Sequence, residues 1–331
     1  MKARSQAALL AAPAMAILAG VAVLPVLAAI WLSLHRSILV FHEERFIGIA
    51  NFRFLFSDGR FWSALGTTAY FTAVAVAAEL LIGLPVAMLL QRGGGFFRAA
   101  ILLPWAIPTA VSARMWAWLF NADYGLLHRL LPGVDWLGSP RTALHAAILV
   151  DVWKTTPFVA LILLAGLSAI PGDVVKAARV DGARPARIFF SITLPLLRPA
   201  ILLALLFRSL DAFRVFDAIY VLTEGGPANA TETLSIYAYK TLLRSGDFGY
   251  GSALSVATFA CVLGIGLVFL RFLGRTEERA SPATGGARKR GASAEERASP
   301  ATGGARKRGA SAEERASPAT GGARKRGASD R

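Results

Sequence analysis

The sequence predicts an all-α membrane protein with six transmembrane helices. Three observations carry that expectation. Hydrophobic residues make up 55% of the 331, with a mean hydropathy of +0.51, above the range of ordinary soluble domains. The apolar residues gather into six runs. Each is long enough, at about 1.5 Å of rise per residue, to cross about 30 Å of hydrocarbon. Most charges lie outside those runs: +8 of the net +15 falls from Arg271 onward, and loop topology accounts for the remaining +7 more simply than a nucleic-acid-binding surface does.

Residues 7–34 form the first run, without a charge, behind a short basic start with Lys2 and Arg4. A signal peptide has a shorter apolar core and a small-residue cleavage site, so this run reads as an uncleaved span with possible kinks at Pro13 and Pro25. A mixed loop over 35–60 leads to the second span, 61–90, which carries the single acid Glu79. A tight basic loop, QRGGGFFR, precedes the third span, 99–120, with Arg114 inside it. The fourth span, 143–170, is expected to be interrupted by DVWKTTP at Asp151–Pro157. The fifth, 200–222, holds Arg208, Asp211, Arg214 and Asp217, alternating in sign at a spacing that allows pairing along one helix. The sixth, 250–270, has no charge.

Between the fourth and fifth spans lies 171–199, PGDVVKAARVDGARPARIFFSITLPLLRP, with five Lys/Arg and two Asp. Val174, Ala177 and Ala178 can share a helical face, Gly182 can end that helix, and Ile188, Phe189 and Ile192 begin another apolar face. This loop reads as a docking element for a cytoplasmic partner. Segments on the side of the N-terminus hold nine Lys/Arg and the opposite loops eight, but the nine are concentrated in short segments whereas the opposite loops are longer and carry compensating acids. From Arg271 onward a further 15 Lys/Arg face only 7 acids, so both termini are expected in the cytoplasm. That tail repeats EERASPATGGARKRGAS three times over 277–330 in units of 18 residues. It has almost no large apolar residues and is expected to be disordered; a polybasic strip on anionic lipid is its functional reading and an inert duplication its plain one.

Intramembrane charges are the second functional signal, because each must face protein or water. Trp153, Lys154, Thr155, Arg208, Asp211, Arg214 and Asp217 are the candidate lining of a substrate route. Rings and hydroxyls beside a helix break suit a polyhydroxylated ligand. The same charges can equally hold helices together by neutral pairs, with Asp151 and Lys154 one such pair and Glu79 bonded to a neighbouring helix. Enzyme chemistry is not supported: no phosphate-binding loop, zinc motif, nucleophile elbow or Cys/His metal cluster is present, His35, His42, His128 and His145 are scattered, and Cys261 is the one cysteine. No metal or bound cofactor is therefore expected. A proton-coupled secondary transporter using Glu79 or Asp211 is the alternative class, and a tail-borne nucleic-acid role a weaker third.

KAARVDGARPARIFFSITLPLLRP, Lys176–Pro199, resembles the E-A-A-x-x-D-G-A…I-x-L-P signature of permease subunits of binding-protein-dependent ABC importers. Ala177, Ala178, Asp181, Gly182, Ala183, Phe189, Ile192, Leu194 and Pro195 match; Lys176 stands where the family usually has Glu. FDAIYVLTEGGP (216–227) is similar to the carbohydrate class, and VWKTTPFVALILLAGLSAIP (152–171) to trehalose-type permeases. The resemblance covers most of 1–273. It implies a six-span permease of a bacterial cytoplasmic (inner) membrane, in contact with lipid and not with nucleic acid. It further implies a second homologous permease, two ATP-binding subunits that use the ATP, and an extracytoplasmic sugar-binding protein delivering a disaccharide such as trehalose or maltose. Residues 171–199 would then be the coupling loop, with Lys176, Ala177, Ala178, Asp181, Gly182, Ala183, Phe189, Leu194 and Pro195 at the ATPase.

Overall fold

A computed structural model describes residues 11–39 and 43–280. The basic start, His42 and the tail repeats past residue 280 lie outside the described residues. Five helices are long and apolar enough to span a membrane: α1 (Ala11–Ser33), α3 (Gly59–Arg92), α7 (Ala143–Ser168), α9 (Pro185–Phe213) and α12 (Phe248–Ala280), the last judged on its stretch to Phe272. The remaining apolar run is a bent pair, α4 (Gly95–Ala106) and α5 (Thr109–Leu119), long and apolar enough to span only when its halves are taken together. Short helices α2 (Ala50–Ser57), α6 (Leu126–Leu130), α8 (Gly172–Val180), α10 (Asp217–Leu222) and α11 (Leu234–Tyr239) fill the connections.

The third run departs from a straight span. Its halves meet at 89°. The cause is Pro108, which drives Ile107 out of the helical region (φ −74°, ψ 134°) and offers no N–H to continue the ladder. Arg114 sits exposed on α5, away from the core.

Conversely, α7 is not interrupted at 151–157. Pro157 removes the N–H that would bond the Trp153 carbonyl. In the turn before it, the Thr156 hydroxyl donates to the Val152 carbonyl at 2.6 Å. Packing against neighbouring helices lets membrane helices tolerate such a proline. α7 is the central span, with 67% of its apolar window buried. It packs on α3 and α9 at close range: a Cβ on Gly166 would lie 2.4 Å from the Ala200 methyl, so a bulkier residue there would force α7 and α9 apart.

The fifth span starts earlier and ends earlier than the run 200–222 suggested. α9 begins at Pro185, passes through a widened π turn at Phe189–Thr193, and stops at Phe213. In that turn the Leu194 N–H reaches back five residues to Phe189, directly before Pro195. α1 has the same device at Ala19–Val23, before Pro25. Arg214 and Asp217 therefore leave the helix; Asp217 opens α10.

The loop 35–60 contains a small antiparallel hairpin, β1 (His35–Ile38) with β2 (Glu43–Phe46), paired His35↔Phe46 to Ile38↔Glu43. Asn51 Nδ2 donates to the Ser33 and His35 carbonyls at 2.8 and 3.0 Å, which closes the end of α1. Large apolar side chains such as Ile17, Val21 and Leu81 stay exposed on the outside of the bundle, as a lipid-facing surface requires.

Candidate functional site

The centre of the bundle is polar. Arg208 of α9 is 1% exposed and is met by carboxylates from two other helices. Its Nε and Nη2 donate to the two Glu79 oxygens of α3 at 2.5 and 2.8 Å. Nη2 also donates to Asp151 of α7 at 2.8 Å, and Nη1 to Asp211 of α9 at 2.5 Å. Four of the five guanidinium N–H donors are thus engaged. Thr155 Oγ1 lies 2.7 Å from Glu79 Oε1 and completes the seam. The node ties α3, α7 and α9 together by a planar bidentate fork that lysine could not reproduce.

This rearranges the expected pairs. Arg208–Asp211 forms along the helix as its spacing allows, and Asp211 meets Arg214 at 3.5 Å. Asp151 pairs with Arg208 and not with Lys154. Lys154, 8% exposed, makes no ion pair among the described residues; its Nζ points to the Trp105 carbonyl at 3.4 Å. That carbonyl is freed where α4 breaks, so a cation there also meets the negative end of the α4 dipole.

Two cavities adjoin the node. The first, of about 360 Å³, is lined by Asp151, Lys154, Thr155, Asp211, Arg214 and Asp217. Trp105, Thr109 and Phe216 add two rings and a hydroxyl. The second, of about 400 Å³, is more apolar: Phe158, Phe207 and Val262 line it beside Arg208. Trp105, Thr155, Asp211 and Arg214 line both. The Trp105 ring is stacked on Phe158 at 5.7 Å and 18°. Of the seven residues expected on a substrate route, five line the first cavity and Arg208 the second. Trp153 lines neither; it packs edge-on against Trp116 at 5.5 Å. Sequence reasoning missed Trp105, Thr109 and Phe216. The signal for Trp105 was present in the pair Pro104 and Pro108 flanking it inside one apolar run. Donors, carboxylates and ring faces around such volumes suit a neutral polyhydroxylated molecule. Among the described residues no group of three His, Cys, Asp or Glu could hold a metal ion.

A second polar node lies at the far end of α3. Glu232 is 2% exposed and receives Arg60 Nε and Nη2 at 2.7 and 2.8 Å and Lys240 Nζ at 2.8 Å. The Arg60 guanidinium lies 4.4 Å from the centre of the Tyr237 ring. Asp58 accepts the Tyr237 and Tyr250 hydroxyls at 2.6 and 2.5 Å. Burial pushes the Glu232 carboxyl up, but Arg60 and Lys240 outweigh it and hold it below its ordinary value. Burial and the Asp58 carboxylate push the Tyr237 phenol up to about 12. A depressed carboxyl stabilises the fold above its unfolded pKa, and that contribution is lost as pH falls through the lower folded value. Thermal unfolding in detergent should therefore fall more steeply below about pH 4.5 for the wild type than for Glu232→Gln. Parallel curves would remove Glu232 from the acid sensitivity.

Residues 171–199 form a helix, a tight stop and a new helix. α8 starts after Pro171 with Asp173 in its first turn, where a carboxylate complements the dipole. Asp181, Gly182 and Ala183 then close it. The Gly182 N–H bonds Arg179 O and the Ala183 N–H bonds Ala178 O, both at 3.0 Å, with Gly182 at φ +76°. This is the Schellman arrangement, which places glycine in the left-handed position. Pro185 follows at the first turn of α9, where its missing N–H leaves no bond unmade. Lys176, Ala177, Asp181 and Gly182 are exposed, and Ala178 and Ala183 half-buried. Phe189, Leu194 and Pro195 are half-buried at the root of α9. Lys176 Nζ is held by Asp173 at 3.1 Å, on the surface.

A family profile described as "Binding-protein-dependent transport system inner membrane component" matches residues 79–281. The trehalose/maltose transport system permease protein MalF of Thermococcus litoralis is 45% identical over 257 residues, 75% of this chain and 87% of that protein. The trehalose transport system permease protein SugA of Mycobacterium tuberculosis is 40% identical over 291 residues, 86% and 93% of the two chains. The sulfoquinovosyl glycerol transport system permease protein SmoG of Agrobacterium fabrum is 38% identical over 284 residues, 83% and 92%. In fold, the chain is similar to a solved bacterial ABC transporter chain involved in import of the polysaccharide alginate. The TM-score is 0.70 at 22% identity, over 83% of this chain and 98% of the other.

Proposed function

Because this chain belongs to the family of binding-protein-dependent transport system inner membrane components, we propose that it is the membrane-spanning permease of an ATP-driven sugar importer. The observation that carries the reading is α8. An exposed basic helix, closed by a Schellman stop and standing between two spans, gives a separate ATPase something to hold. The chain itself has no phosphate-binding loop. In this reading Lys176, Ala177, Ala178, Asp181, Gly182 and Ala183 meet an ATP-binding subunit. Phe189, Leu194 and Pro195 pass its movement into α9. ATP is used by that partner, and both termini of the permease face the cytoplasm. A second homologous permease completes the pathway, and an extracytoplasmic binding protein delivers the sugar.

The sugar route runs past the first cavity. Lys154, Thr155, Asp211, Arg214 and Asp217 contact hydroxyls, and Trp105 and Phe216 offer ring faces. Arg208 acts on the route only by holding Asp151 and Asp211 in place. A disaccharide of the trehalose or maltose type is the expected cargo, from the 40–45% identity to permeases named for those sugars.

The test is reconstitution with the binding protein, the second permease and the ATPase in liposomes. Trehalose or maltose is expected to stimulate ATP hydrolysis and uptake together. Asp217→Asn should raise the half-saturating sugar about tenfold without unfolding the protein, since one lost hydrogen bond to a charged group is about 1.5 kcal/mol or more. Uptake driven by a proton gradient without ATP would overturn the reading.

A further inference from the structure

We infer that the basic end of the bundle carries a site for one anionic diacyl phospholipid. This goes beyond the transport reading and does not depend on it. Two depressions meet there. One is an apolar groove of about 310 Å³ between α3 and α9, lined by Leu81, Leu84, Met88, Phe189 and Ile201 among others. The other is a cup of about 640 Å³ beneath α8, into which Arg92, Lys176, Arg179 and Gln91 project. Met88 and Phe189 line both, so groove and cup adjoin at these two side chains.

The two halves ask for different chemistry. The groove is almost wholly apolar and opens on the outer face of the bundle, where Leu81 is 75% exposed. It follows α3 from Leu80 to Met88, about 12 Å of helix, and ends where the cations begin. The cup's lining contains three cations and no carboxylate. Lys176 shares its charge with Asp173, whereas Arg92 and Arg179 have no carboxylate within ion-pair distance among the described residues. A helix from another protein would fill the groove without needing cations at its end. A free anion would need the cations and no groove. A phospholipid needs both in this order: an acyl chain along Leu81, Leu84 and Ile201, and a phosphate at Arg92 and Arg179. Basic pockets at the ends of transmembrane helices are the recognised setting for anionic headgroups.

The site touches the docking helix. Lys176 and Arg179 belong to α8, and Phe189 lies in the π turn of α9. Occupancy by an anion would hold α8 against the ends of α3 and α7, so lipid composition would set how freely α8 moves.

The test uses the full chain in detergent, titrated with dioleoyl phosphatidylglycerol, with phosphatidylcholine of the same chains, or with glycerol 3-phosphate, and read by native mass spectrometry. One phosphatidylglycerol is expected to be retained at least tenfold over phosphatidylcholine. Arg92→Gln, at an exposed position that does not threaten folding, should lower that preference about fivefold, the effect of one basic residue near an anionic surface. Met88→Trp, which fills the junction, should weaken both lipids. Equal retention of the two lipids, or a preference untouched by Arg92→Gln, overturns the site. Full displacement by glycerol 3-phosphate would also overturn it, because the cup would then be an anion site with no chain.

Discussion

Arg208→Met is expected to produce the largest loss of stability of any single substitution in this chain. The methionine fills much of the same volume, so the loss is not a cavity effect. It comes from Glu79, 0% exposed, and Asp151, 8% exposed, each left in the bundle without a counter-charge. Removing one partner of a buried ion pair costs about 3–5 kcal/mol. Against a total stability of about 5–15 kcal/mol, that removes much of the folded population at growth temperature. Arg208→Lys should fall between, because an ammonium keeps the charge but cannot bridge Glu79, Asp151 and Asp211 at once. The informative companion is the triple variant Arg208→Met, Glu79→Leu, Asp151→Leu. Replacing the buried members of an ionic cluster by packed apolar groups is often neutral or stabilising, and Asp211 keeps Arg214 as a partner, so the triple should recover most of the lost unfolding temperature. Its transport is a separate reading: if the node only fastens helices, a stable triple variant should still move sugar. Unfolding temperatures in detergent that match for wild type and Arg208→Met would sink the account of the node.

Five of the six expected crossings were legible because burial in lipid leaves one solution for the backbone, a continuous helix, and apolar runs report it directly. The helix limits were less legible. Prolines decided them, and a proline's effect depends on neighbours the run does not display. Pro108 breaks its span, whereas Pro157 leaves α7 whole, packed between α3 and α9. The partners of the charges were legible only along one helix. Arg208 with Asp211 could be read from spacing; Arg208 with Glu79, 129 residues away, could not, because it depends on how α3 and α9 pack. That same pairing explains why a lone glutamate is tolerated at the middle of α3. The elbow that exposes the Trp105 carbonyl to Lys154 also needs tertiary contact, between α4 and α7. Residues 171–199 were the most legible part, since A-A-R-V-D-G-A writes a local hydrogen-bond pattern that closes within six residues.

Gly182→Leu is expected to separate transport from folding. A Cβ at this position meets nothing within 4 Å, so no steric clash spreads into the bundle. The conflict is local: at φ +76° an L side chain crowds its own carbonyl, at a cost of about 1–2 kcal/mol. The turn can relieve that by giving up the Gly182–Arg179 and Ala183–Ala178 bonds, which redirects α8 relative to α9. If the ATPase holds α8 in the observed orientation, a penalty of that size lowers the competent population about 5- to 30-fold. ATP-coupled uptake should fall by that factor while membrane insertion and unfolding temperature stay near wild type. Gly182→Asn discriminates the cause, because asparagine enters the left-handed region more easily than leucine. It should keep several-fold more activity than the leucine variant although both add a side chain to the same exposed surface. If the two variants lose activity equally, the surface and not the turn is what the ATPase reads. If Gly182→Leu transports normally, the α8 stop has no part in coupling and the docking role of 171–199 fails with it.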